Sequence, residues 1–147
     1  MYPNLNDLIH YENQKIVSRY KRDYPHSKIQ AEVALKELMK FIWLCQKHKA
    51  DIAQFPKNND LNFSCVIHAE MSDIDNMWHT FLLFTRDYHE FCHIHLNGNF
   101  FHHDPLAEKD NNFSEENYKL ELNRYLSYIF ENLGENTLKR WFGEYFD

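Results

Sequence analysis

The chain has 147 residues, 44% of them hydrophobic and 16% aromatic, which supplies the core of one domain spanning residues 1–147 and excludes a disordered chain. Three glycines and four prolines are too few for the tight turns of a β-sandwich or barrel. Sixteen Lys and Arg against 22 Asp and Glu leave a net charge of −6, so the cationic field of a general nucleic-acid binder is absent.

Five segments carry helical periodicity. The first runs from about Leu5 to Tyr20, with Leu5, Leu8, Ile9, Ile16, Val17 and Tyr20 near one face, and Pro25 separates it from the next. The second, about Lys28 to Lys49, opens on a capping-box pattern of Ser27 with Gln30 and repeats Ala31, Ala34, Leu35, Leu38, Phe41, Ile42 and Cys45 at helical spacing. Pro56 and Asn58-Asn59-Asp60 mark a loop, and Leu61 to Ile67 reads as a packed extended connection, since a lone strand has no partner. The third helix runs from about Asp73 to between His93 and His95, with Ser72 and Asp75 in a capping-box register. Its wide face holds Met77, Trp78, Phe81, Phe84, Tyr88, Phe91 and Cys92, and Asn97-Gly98-Asn99 is a turn signal. The fourth spans Ser114 to Gly134, and Asn136 is placed to cap a short fifth carrying Leu138, Trp141, Phe142 and Tyr145. The expected architecture is an all-α irregular bundle of about five helices.

Cys45, Cys65 and Cys92 are an odd, sparse set without a CxxC pair, which is no disulfide framework and no zinc ribbon. The first residues lack a basic stretch followed by an apolar run, and no apolar stretch is long enough to span a bilayer. A cytoplasmic protein without a membrane span is expected, and a protein exported without a cleaved signal would look the same.

Seven of the ten histidines lie between His68 and His103. At 100° per residue Asp75, His79, Arg86, His89 and His93 form one stripe, and the i, i+4 pairs Asp75–His79 and His89–His93 each place two ligand-type side chains over one another. His79 and His93 stand about 21 Å apart on a straight helix at ~1.5 Å per residue, so they cannot share one ion. His102-His103 could complete either pair. Reaching His89 is easy; reaching His79 requires the helix to end near His93, which leaves nine residues and an extended reach of roughly 30 Å. Chain length thus prefers the C-terminal pair. His10, His26, His48 and His95 read as solvated or satisfied core groups. No GxSxG elbow, glycine-rich phosphate loop or HExxH occurs. His68-Ala69-Glu70 has the HxE of zinc deaminases without its PCxxC partner.

The run Ser72-Asp73-Ile74-Asp75-Asn76-Met77-Trp78-His79-Thr80-Phe81, then Tyr88 and Cys92, then Phe101-His102-His103-Asp104-Pro105, resembles the glycine-rich domain-containing protein-like family. The resemblance covers about residues 35–105, without the glycine-rich tail of the plant members. Asp75, Trp78, His79, Tyr88, Cys92, His103 and Pro105 match the pattern, and His102 matches its bacterial form; Phe81 stands where many relatives have a second histidine. What it implies is the helical module alone, of a family largely of unknown biochemical function; the first expectation is a module that binds an unknown protein or small molecule. The alternative is a metal-binding protein or metal-dependent enzyme holding one zinc or non-haem iron ion through His79, His102 or His103, and Asp75. On that implication the site moves to the N-terminal pair.

Overall fold

Met39, Phe41, Ile42 and Leu44 are all buried, although they point around more than one side of a single helix, Ala31–Gln54. A helix apolar on most of its circumference belongs inside the protein, and this one is the axis on which the others pack. The computed structural model describes residues 1–104 and 114–146, the last three by backbone alone; Pro105 and the side chain of Tyr145 lie outside the described part. Among the described residues there are seven α-helices and no strand: α1 (Leu5–Ile9), α2 (Gln14–Asp23), α3 (Ala31–Gln54), α4 (Ser72–Leu83), α5 (Thr85–His95), α6 (Glu115–Leu133) and α7 (Glu135–Phe146). α3 packs against α1, α2, α4 and α6.

The expected five helices become seven because two of them break. The first divides into α1 and α2 at residues 10–13. Asn13 turns its side-chain oxygen to the backbone N–H groups of Lys15 (3.1 Å) and Ile16 (3.4 Å) and donates its amide to Asp87 at 2.8 Å. Such local bonds compete with a continuous helix. The freed turn lets the Tyr11 ring pack on Phe81 (5.6 Å between centroids) and Phe91 (5.0 Å).

The expected third helix breaks at Phe84, whose φ of −97° and ψ of 70° are not helical. On a straight helix residues ten apart are separated by ~15 Å along the axis. The bend instead brings the Trp78 indole N–H to the Tyr88 hydroxyl at 3.0 Å, and Phe81 against Tyr88 at 4.9 Å. α5 also runs on to His95, past the His93 end that a straight rod requires.

The capping residues read from the sequence are not the ones used. The fourth helix does begin at Ser114, whose hydroxyl caps α6 by accepting from the Asn117 N–H at 3.1 Å, and Ser72 is the first residue of α4, which has no side-chain cap. Ser27 donates instead to the Ile29 carbonyl (2.9 Å), and α3 starts at Ala31 without a side-chain cap. Asn136 lies inside α7, because Gly134 adopts φ +89° and turns α6 directly into α7. Residues 62–68 form the extended connection, held where Tyr125 donates to the Val66 carbonyl at 2.8 Å and His48 donates to the Leu61 carbonyl at 2.9 Å. No described helix is long and apolar enough to cross a membrane.

His48 is a satisfied core histidine with a consequence for pH. Burial pulls its pKa, and that of His68, below the ordinary value. The unfolded chain then binds protons that the native one does not, so this stability is complete above the unfolded value of ~6.5 and is lost as pH falls towards the native values. The urea midpoint should drop between about pH 7.5 and about pH 5.5, with a shallower slope in His48→Gln. An unchanged slope in that variant would remove His48 from the account.

Candidate metal centre

Asp75 and His79 sit one turn apart on α4, so their side chains overlie one another as local helix geometry requires. α4 has no side-chain N-cap, so the Asp75 carboxylate is not consumed as a helix cap. Its Oδ1 lies 2.7 Å from His103 Nε2, which donates to it, and 3.6 Å from His79 Nε2. The ligand-type atoms of Asp75, His79 and His103 all lie within 4.8 Å of one another. The two imidazoles stack at 4.7 Å with 16° between their planes.

His103 arrives from outside α4. After α5 the chain turns at Asn97 (φ 56°) and Gly98 (φ 80°), and residues 100–103 run back across Tyr88 and Trp78. The bend at Phe84 shortens this return, which is why the reach closes although α5 extends to His95. The strand-like period of two then sorts the side chains. Phe101 and His103 face inward and stack on the Trp78 indole at 4.9 Å and 4.1 Å. Phe100 and His102 face outward, exposed and paired at 4.7 Å. Burial raises the Tyr88 pKa strongly, so the phenol keeps its proton and donates it to the Phe101 carbonyl while accepting from Trp78. That relay fixes the segment bearing His103.

The expected residues are therefore separated by the structure. Asp75, His79 and His103 converge. His102 lines the adjacent cavity outside the converging group. His89 and His93 are exposed on α5 and belong to no cluster of three potential ligands among the described residues.

Beside the three side chains lies a cavity of about 510 Å³. Phe41, Ile67, Trp78 and Phe101 give it an apolar wall; Cys65 and His68 add polar groups. His68 is surrounded by the rings of Tyr118, Tyr125 and Phe142 at 5.4–6.5 Å, and its burial favours the neutral imidazole. The sequence reading missed Cys65, and considered His68 only within its HxE tripeptide. Both lie on a connection without periodicity, so their only signal was residue type.

Two nitrogens and one carboxylate oxygen suit zinc or iron rather than calcium or magnesium. Two ligands of a tetrahedral zinc, each ~2.0–2.1 Å from it, stand roughly 3.3 Å apart. His103 would have to withdraw from Asp75 by roughly half an ångström to reach that spacing, and one of the two stacked imidazoles would have to turn so that both in-plane lone pairs meet at the ion. The side chain of His79 is 50% exposed and that of His103 15%, so one flank of the triad faces solvent and the other is held by packing. Three protein ligands leave a coordination position for water or a small molecule.

A family model described as UCP032817-like matches residues 7–141, so the chain belongs to that family. This corrects the assignment drawn from the Asp75–Trp78–His79 pattern, which is not that of a glycine-rich domain-containing protein-like member. The physical reason lies in the pattern itself. An indole that carries a stacked phenylalanine and histidine is a way of fastening a return segment to a helix, and packing of that kind is not specific to one family. No curated protein and no solved structure matches the chain.

Proposed function

We propose that this member of the UCP032817-like family binds one zinc or non-haem iron ion through Asp75, His79 and His103, and that the ion holds a small molecule in the adjoining cavity. One observation carries the reading: three ligand-type atoms from two separate chain segments converge within 4.8 Å beside a cavity with an apolar wall. The donor set is that of open zinc and non-haem iron sites, with two imidazoles and one carboxylate. When bound, the ion would supply a Lewis-acidic position. Trp78 and Phe101 orient His103, the cavity wall excludes water from one side, and His68 offers a neutral imidazole to a ligand's proton.

The test is the metal content of protein purified without chelator, followed by zinc titration. Wild type should take up one ion per chain. His79→Ala and His103→Ala should each lose affinity by more than the ~10–100-fold typical of an outer partner. His89→Ala with His93→Ala should bind as wild type. Failure of wild type to bind zinc or ferrous iron stoichiometrically, or equal binding in His103→Ala, would defeat the site.

A second reading, an interaction module for a protein partner, is favoured by one feature. Phe55 and Leu120, both exposed, flank a groove between the end of α3 and α6. A chain that carries no metal leaves this reading alone.

A further inference from the structure

Two of the three cysteines meet. The Cys45 sulfur, on α3, stands 2.9 Å from that of Cys65, on the extended connection. This is about 0.9 Å longer than a disulfide bond of ~2.05 Å. Both residues are free thiols of intermediate exposure, whereas Cys92 is buried elsewhere, against Tyr88 and the Phe101 segment. Cys65 lines the same cavity as Asp75, His79 and His103; Cys45 lies behind it. The backbone on either side of Cys65 is pinned, through Tyr125 to the Val66 carbonyl and through Arg124 to the Asn62 carbonyl at 3.1 Å.

We propose that Cys45 and Cys65 are a redox-active dithiol that a hydroperoxide entering the cavity converts to a disulfide. The inference rests on the position of the two sulfurs and is independent of the metal reading. The Cys65 sulfur, as thiolate, attacks the distal peroxide oxygen; an S–O bond forms, the O–O bond breaks, and the other oxygen leaves as water or alcohol after taking up a proton. The resulting sulfenic acid is attacked by the Cys45 sulfur. An S–S bond forms, the S–O bond breaks, and the hydroxide leaves as water with the Cys45 proton. Two thiols are oxidised by two electrons and one peroxide is reduced.

The order follows from the geometry. Cys65 faces the cavity, and Cys45 is the resolving thiol behind it. Burial raises the Cys45 pKa and keeps that thiol protonated until Cys65 is oxidised. Access from the cavity selects Cys65 as the sulfur that reacts first. The bond would tie residues 62–68 to α3 and so fix the wall that carries Cys65 and His68. In a reducing compartment, disulfides of this kind are transient.

The experiment uses the full chain, reduced, freed of reductant and treated with hydrogen peroxide, with and without added zinc. Thiol titration in denaturant should fall from three thiols to one and return to three after dithiothreitol. Peptide mapping should find a single link, Cys45 to Cys65. Cys92→Ser should cross-link like wild type. Cys45→Ser should accumulate a sulfenic acid at Cys65, trapped by a dimedone-type reagent, while Cys65→Ser should react at least 10-fold more slowly. Three free thiols after peroxide, a link that includes Cys92, or oxygen added to Cys65 without a link in wild type would each overturn the proposal. The wild-type mapping needs no variant to fold, and the zinc-free arm keeps its outcome separate from that of the metal site.

Discussion

Trp78→Ala is expected to lower unfolding stability by about 3–5 kcal/mol, the range for deleting a buried aromatic. The indole is 4% exposed and packs between Phe41 of α3 at 5.6 Å and the returning segment, where Phe101 lies parallel to it at 4.9 Å. Its removal leaves a cavity at the junction of α3, α4 and residues 100–103. The loss is a large part of the 5–15 kcal/mol that such a domain possesses. Trp78→Phe should keep part of the stacking while losing the indole N–H bond to Tyr88 and the packing of three ring atoms, a cost of about 2 kcal/mol. Urea unfolding of the two variants checks both magnitudes. A wild-type midpoint in Trp78→Ala would place this residue outside the core. Trp78→Ala should also weaken the zinc binding proposed above, since His103 stacks on the indole at 4.1 Å.

The second large effect is expected at Glu37, in the second turn of α3, whose side chain is 2% exposed. Its Oε1 accepts from the Trp141 indole N–H at 3.1 Å, and its Oε2 pairs with Lys40 at 2.9 Å and Arg140 at 3.4 Å. Arg140 is half exposed and contributes little through solvent. Lys40 and Trp141 are enclosed enough for the loss to count. Glu37→Ala strands the buried Trp141 N–H and takes the carboxylate from Lys40, which keeps the Thr137 hydroxyl at 3.2 Å, and should cost about 2 kcal/mol. Glu37→Gln retains an acceptor for Trp141 and should cost less. Because the network is buried, 1 M salt should not reproduce the loss in wild type, screening being weak there. Denaturation of the variants at low and high salt checks this; an Ala variant within about 0.5 kcal/mol of wild type, the spread of ordinary surface substitutions, would show that Glu37 is not the anchor of α7.

How much of this was legible in the sequence depends on the reach of each interaction. Helical class and the buried face of α3 follow from contacts within about four residues, which periodicity records. The closeness of Asp75 and His79 is of the same kind, whereas the longer stripe on to Arg86, His89 and His93 is interrupted by the break at Phe84. The breaks at residues 10–13 and at Phe84 were not legible, because Tyr11, Trp78 and Tyr88 bend the chain for partners that no local pattern names.

The same division runs through the functional groups. The sequence offered His102 and His103 as equals. Adjacent residues of an extended segment point to opposite sides, and which of the two faces α4 was decided by Phe101 seating on Trp78. Cys45 and Cys65 are 20 residues apart, Asp75 and His103 are 28 apart, and Glu37 and Trp141 are 104 apart. By itself the sequence determined which residues share a helix face. Only the tertiary structure decided which faces meet, because those contacts form between segments whose separation along the chain carries no periodic signal.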